Sequence, residues 1–167
     1  MKDILYAPWR DEYITNKKIE GCVFCHISAH EAKDKDLHVL YRDEHCFLVM
    51  NKYPYTPGHF MIIPHAHTDR LEELDSEVWL HMSALAQKGV RLLKEGMEAK
   101  GVNIGMNLGI AGGAGIAEHI HMHLVPRWER DTNFITAIAD TRVYSTDFEK
   151  IYTKMKSLIN NYIKNNI

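Results

Sequence analysis

The chain has 167 residues, with 20 basic and 22 acidic side chains and a formal net charge of -2 when its 11 histidines are neutral. That length suits one domain, residues 1–167, with a real core, and the balanced charge gives no basic field to attract nucleic acid. The longest apolar runs, CFLVM and FMII, fall far short of a bilayer span, so no membrane partner is expected.

Residues 1–21 carry aromatics and charges, MKDILYAPWRDEY among them, which reads as an extended arm ending in Gly21 and not as an export signal. Three cysteines, an odd number, argue against a disulfide framework and suit a cytoplasmic site. His30 to Lys35 reads as a solvated loop. LHVLYR (37–42) and CFLVMNK (46–52) are expected strands separated by Asp43 and Glu44, with Cys46 as a small buried hydrophobe. Prolines and a glycine mark 53–58 as a turn-rich loop, and HFMIIP (59–64) resumes as a strand, making 37–64 an antiparallel run. A helix is expected from about Glu77 to Lys100, capped by Asp75 or Ser76, burying Leu85, Leu92 and Leu93 and stopped by Gly101. VNIGMNLG (102–109) is an expected strand, followed by the glycine-rich loop IAGGAGIAE. A histidine-bearing strand ends at Pro126, and a short strand is expected around 134–144. The last helix (145–165) starts near Ser145 or Thr146 and keeps an apolar face from Phe148 to Ile163. The fold class is therefore α+β, a mostly antiparallel sheet with two long helices.

The histidine strand, EHIHMHLVPR, is the most informative segment. Its alternation has the two-residue period of a strand, so His119, His121 and His123 share one face, roughly 7 Å apart, and Ile120, Met122 and Leu124 face a core. A solvated histidine face is the plain reading. A three-histidine metal centre is another, but three successive same-face residues span too far for all to reach one ion at about 2 Å. A third is phosphoryl or nucleotidyl transfer, since a neutral imidazole is a competent nucleophile near neutral pH. The preceding run Gly109-Ile-Ala-Gly-Gly-Ala-Gly115 supports it, because glycines let backbone N–H groups turn inward on an anion.

Cys22-Val-Phe-Cys25 reads as a zinc half-site, a redox pair or two packed cysteines. A tetrahedral Cys₂His₂ site needs two histidines from elsewhere. Pro64-His65-Ala66-His67 is a source of one, and His119 is a candidate for the other. His26, His30, His38, His45 and His81 stand alone and read as surface residues. Trp128 either packs in the core or covers a base at the site mouth.

His119-Ile-His-Met-His-Leu-Val125 resembles the His-φ-His-φ-His-φ-φ signature (φ apolar) of the histidine triad superfamily. Gly58-His-Phe-Met-Ile-Ile-Pro-His-Ala-His67 resembles that family's glycine–histidine strand, and a CxxC near the N-terminus recurs in its zinc-bearing members. Tyr6-Ala-Pro-Trp-Arg10 and Val125-Pro-Arg-Trp128 are similar to a narrower branch, the bacterial diadenosine polyphosphate phosphorylases. The matches are spread over 6–142. The resemblance implies a histidine-triad-like fold and a nucleotide-processing enzyme in which His121 attacks the α-phosphate to form a covalent nucleotidyl-histidine. It implies that His123 bonds a phosphate oxygen beside the backbone of Gly115 and Ile116, with Asn107 near the phosphates. Asn51 would bind ribose hydroxyls, and His59 would lie close to the triad. Zinc would be held by Cys22, Cys25, His67 and His119, and the chain would form a homodimer through the long helix and a neighbouring strand.

Two departures stand out: Ala114-Gly115-Ile116 replaces the Gly-Gln-Ser or Gly-Gln-Thr of many members, and His65 replaces a lysine. Inorganic phosphate as second nucleophile makes a phosphorylase of dinucleoside polyphosphates, and water makes a hydrolase. The alternatives are a non-catalytic, zinc-stabilised nucleotide-binding protein, or a metallohydrolase in which zinc activates water. Activity through neutral imidazoles is expected to fall below about pH 6.

Overall fold

The computed structural model describes residues 21–129, 131 and 146–164. Most of the arm (1–20), the strand expected at 134–144 and the last residues of the chain lie outside them. Elements follow in the order α1 (Val23–Ala29), β1 (Val39–Arg42), β2 (Cys46–Met50), β3 (Phe60–Pro64), α2 (Ser76–Arg91), β4 (Gly101–Gly105), β5 (Met122–Arg127) and α3 (Phe148–Tyr162). The five strands form one antiparallel sheet in the order β1-β2-β3-β5-β4, which bears out the α+β expectation. The described helices number three, because the cysteine segment forms the short α1 that the sequence reading missed.

Every residue of β2 and β3 is buried, since both faces of the central sheet are covered. Leu48, Met50, Phe60, Ile62, Met122 and Leu124 face a core completed by α2 and α3. Phe47, Val49, Met61 and Ile63 face Phe24 and Ile27 of α1. Helix α2 approaches the sheet at Gly89, where an added Cβ would sit 2.8 Å from Leu124 and 2.9 Å from Phe60. The edge strand β1 is covered by α3: Lys156 Nζ donates to the carbonyls of Val39 and Leu40 at 2.8 and 2.9 Å. Those bonds occupy acceptors that would otherwise be free to pair with another chain. Among the described residues no helix is long and apolar enough to cross a membrane.

Several boundaries differ from expectation: the strand expected over 102–109 stops at Gly105, and the histidine strand opens only at Met122, so His119 and His121 lie in the chain leading into it. Asp75 caps α2 through Glu77 N–H, as foreseen, but the helix widens into a π turn over Leu92–Gly96 and stops there, short of Lys100. Its end closes through a left-handed residue, with Glu98 at φ +58° and Ala99 N–H reaching back to the Leu93 carbonyl, one residue further than in a Schellman motif because the last turn is a π turn. Gly101 instead opens β4. Nor does Pro126 end β5, which runs to Arg127. The last β3 partner is Phe60 opposite Leu124, so Pro126 is paired only with Val102 of β4 and its missing N–H can be accommodated. Helix α3 begins later than expected because its cap is Asp147, which accepts from Lys150 N–H.

Candidate active site and metal centre

The histidines gather on the α1 side of the sheet. Register places His123 opposite Met61 of β3, and His59 lies two residues before Met61, so both rings emerge on one face. His119 and His121 precede β5 in the chain entering it. Both are buried, as is His59. Phe24 of α1 packs edge-on to His119, with centroids 5.6 Å apart, and tilted on His121 at 5.0 Å. Nothing in the reading of CxxC drew attention to Phe24, although its place between the two cysteines was the available signal.

One end of the row is a cluster of metal-ligand type. Cys22 Sγ lies 3.4 Å from His119 Nδ1, and Cys25 Sγ lies 3.2 Å from His67 Nδ1 and 3.7 Å from His119 Nδ1. The four ligand atoms fall within 4.8 Å of one another. Tetrahedral zinc, with bonds of about 2.3 Å to sulfur and 2.0 Å to nitrogen, would hold S and N about 3.5 Å apart, so the donor set fits such an ion. The imidazole polarity fits as well. His119 Nε2–H donates to the Pro64 carbonyl at 2.9 Å, which leaves the Nδ1 lone pair toward the sulfurs. Burial and the neighbouring Cys22 push the Cys25 thiol up, so that sulfur favours the protonated form until a cation displaces the proton. Four protein donors close such a site, and its ion would supply stability.

Next along the row is His121. Its Nδ1 lies 2.9 Å from the His119 carbonyl, an acceptor only, so the proton sits on Nδ1 and the lone pair on Nε2. Burial lowers its pKa, and the bond to that carbonyl offsets only part of the effect. His123 follows, its ring centroid 4.9 Å from that of His121. Burial, then the neighbouring His121, lowers His123 to about 4. Burial, then His123 and His121, lowers His59 to about 3. His59 Nε2 and His123 Nδ1 are 2.9 Å apart, and the ring of Tyr55, which the sequence reading treated only as loop, stacks on His59 at 4.9 Å. At neutral pH the row is therefore uncharged, with a bare nitrogen on His121.

The remaining expected residues fall around this row. Asn51 lies just past β2; its Oδ1 accepts from Tyr53 N–H at 2.9 Å, and its Nδ2 is 3.5 Å from His59 Nε2. Asn107 is half-buried, two residues beyond Gly105, the β4 partner of His123. Gly115 is exposed, while Ile116 packs against the α1-side cluster. Trp128 packs against the helix-side core, the first of its two readings, on the sheet face opposite His123. Of the five histidines read as solitary, His81 donates to Asp43 at 2.7 Å and ties α2 to the β1–β2 turn. His38 meets Glu149 at the start of α3.

A buried imidazole with a bare Nε2, a second ring beside it, a glycine-rich approach and a Cys₂His₂ corner match the arrangement of a histidine triad site. The family model for the HIT domain matches residues 32–130, and the chain belongs to that family. It is 39% identical over 113 residues to the AP-4-A phosphorylase of Mycobacterium tuberculosis, an overlap of 68% of this chain. That overlap covers 58% of the relative's length. It is also 29% identical over 142 residues to adenylylsulfatase HINT3 of Arabidopsis thaliana, across 85% of this chain and 69% of that protein. Among solved structures, a zinc-bound histidine triad family protein from Mycobacterium smegmatis superposes with TM-score 0.69 at 31% identity, covering 84% of this chain and 94% of that one.

Proposed function

We propose that the chain is an enzyme that cleaves dinucleoside polyphosphates of the diadenosine tetraphosphate type through a covalent nucleotidyl-His121, with inorganic phosphate as acceptor. The observation that carries the reading is the His121–His119 carbonyl bond, which holds the proton on Nδ1 and leaves Nε2 bare in a ring that burial keeps neutral. In the first displacement Nε2 attacks the α-phosphorus, the P–N bond forms, and the nucleotide leaving group departs with the electron pair of the broken P–O bond. In the second, a phosphate oxygen attacks in line and expels His121, releasing a nucleoside diphosphate. His123 bonds a non-bridging oxygen as charge spreads over it, together with the backbone of Gly115 and Ile116. The amide of Asn107 lies near the phosphates, and the Nδ2 of Asn51 serves the ribose. Cys22, Cys25, His67 and His119 would hold structural zinc, which would add stability at the corner next to His121. The similarity to a named AP-4-A phosphorylase supports phosphate as acceptor. Homodimer formation and a cytoplasmic location complete the proposal.

The deciding experiment is diadenosine tetraphosphate turnover with and without millimolar inorganic phosphate, with the products resolved by chromatography. ADP and ATP that appear only with phosphate support the phosphorylase, whereas AMP in either condition makes water the acceptor. His121→Ala should abolish turnover while the protein stays folded and binds nucleotide. Unchanged behaviour in that variant would mark a non-catalytic binder.

A further inference from the structure

We infer that the backbone N–H of Tyr55 sets the proton positions of the His59–His123 pair, so that His123 presents a donating Nε2–H to the substrate phosphate. Of the groups in this chain of contacts, the amide has only one possible polarity. Tyr55 N lies 3.2 Å from His59 Nδ1, so that nitrogen must carry the lone pair. A neutral imidazole has one lone pair and one N–H, which puts the proton of His59 on Nε2. His59 Nε2–H then donates across 2.9 Å to His123 Nδ1, and the proton of His123 is left on Nε2.

Asn51 does not reverse this order. Its Oδ1 is taken by Tyr53 N–H, which turns its amino group toward His59 Nε2 at 3.5 Å, a long contact beside the 2.9 Å bond to His123. Were His59 Nε2 to accept from Asn51, both nitrogens of the ring would be bare, an imidazolate with no cation to hold it. The ring of Tyr55 lies nearly parallel over His59, at 24°, and holds the imidazole against the amide that polarises it.

The neighbouring histidines therefore have opposite tautomers, each assigned by a backbone group of opposite sign. The His119 carbonyl holds a proton on His121 Nδ1 and bares Nε2 for attack. The Tyr55 amide works through one more ring and protonates His123 Nε2. The ring centroids of His121 and His123 are 4.9 Å apart, and a bare Nε2 on both would repel a phosphate oxygen twice; one bare and one protonated divide the work of attack and stabilisation. Tyr55 is thus a positioning residue, and the importance of its tautomer control for turnover rests on the reaction proposed above.

The test is long-range ¹H–¹⁵N correlation NMR of the imidazole nitrogens in the full chain at neutral pH, with the rings assigned by single substitutions. The expected spectrum shows pyrrole-type Nε2 and pyridine-type Nδ1 for both His59 and His123. Pyrrole-type Nδ1 on His123 overturns the inference without any substrate. Two variants separate the ring from the amide: Tyr55→Ala keeps the N–H, whereas Tyr55→Pro removes it. Tyr55→Ala should keep both tautomers. Tyr55→Pro should lose the single-tautomer signature of His123 and turn over about tenfold more slowly than Tyr55→Ala, as expected for one charge-assisted hydrogen bond. A Tyr55→Pro protein with the wild-type tautomers refutes the assignment, and if that variant does not fold the wild-type spectrum still decides. Absence of turnover in the wild-type protein would reject the proposed function and leave the tautomers to be read directly.

Discussion

Acidification should destabilise this protein from about pH 6.5 downward, and His59 should account for a measurable share. In the unfolded chain both His59 and His123 titrate near 6.5; folding lowers them to about 3 and about 4. Between those limits the unfolded state binds more protons, so the free energy of unfolding falls as pH falls. The contribution of neutral burial is fully present above about pH 6.5 and is lost through pH 4 for His123 and pH 3 for His59. Each group costs about 1.4 kcal/mol per pH unit inside its window. From pH 6.5 to pH 5 that is about 2 kcal/mol for His59 and roughly half as much for the less buried His123, where solvent screens the charge. The total is a large fraction of an ordinary domain's 5–15 kcal/mol. Urea titrations followed by circular dichroism at half-unit steps from pH 8 to pH 5 would measure it. His59→Asn removes one titrating ring, and its stability should fall with pH less steeply than wild type by about 1.4 kcal/mol per unit. Acid loss from the cysteine–histidine corner is common to both proteins and cancels in the difference. Parallel curves would refute the assignment of a buried, neutral His59.

Removal of the metal should act on stability before chemistry. With zinc at about a thousand times its Kd, chelation should cost about 4 kcal/mol, a fall in Tm of roughly 8–16 °C for a chain of this size. Lost turnover at an unchanged Tm would instead indicate an ion that takes part in the reaction. The acid limb of kcat/KM should lie below pH 6.5, because burial lowers His121; a limb centred near pH 7 would contradict that environment. Gly89→Ala gains about 1 kcal/mol of helix propensity but forces a methyl against Leu124 and Phe60, costing about 1–3 kcal/mol. A net loss of about 1 kcal/mol in denaturant unfolding is expected, and a stabilised variant would show that α2 can move away from the sheet.

The local signals in this sequence were strong where a single element carries the pattern. Alternation marked the histidine strand, because a two-residue period puts His123 on one face and Met122 and Leu124 on the other, while composition and turn residues marked β2 and β3. Asp75 announced the start of α2 because a cap is a contact within one turn. The end of α2 was illegible: Gly96 packs under Leu158 of α3, and the left-handed turn falls on Glu98, a residue type that gives no warning. Short α1 was missed because seven residues carry too little periodicity to stand out, and its burial comes from the sheet beneath it. The donor types of the metal corner could be proposed from spacing, but bringing Cys22 within 3.4 Å of His119 required 97 residues of chain to close on themselves. Histidine identity was written in the sequence, whereas tautomer was not. A ring's proton position depends on whether a carbonyl or an N–H meets it, and only the packing of Tyr55, His59, His119 and Pro64 supplied those partners.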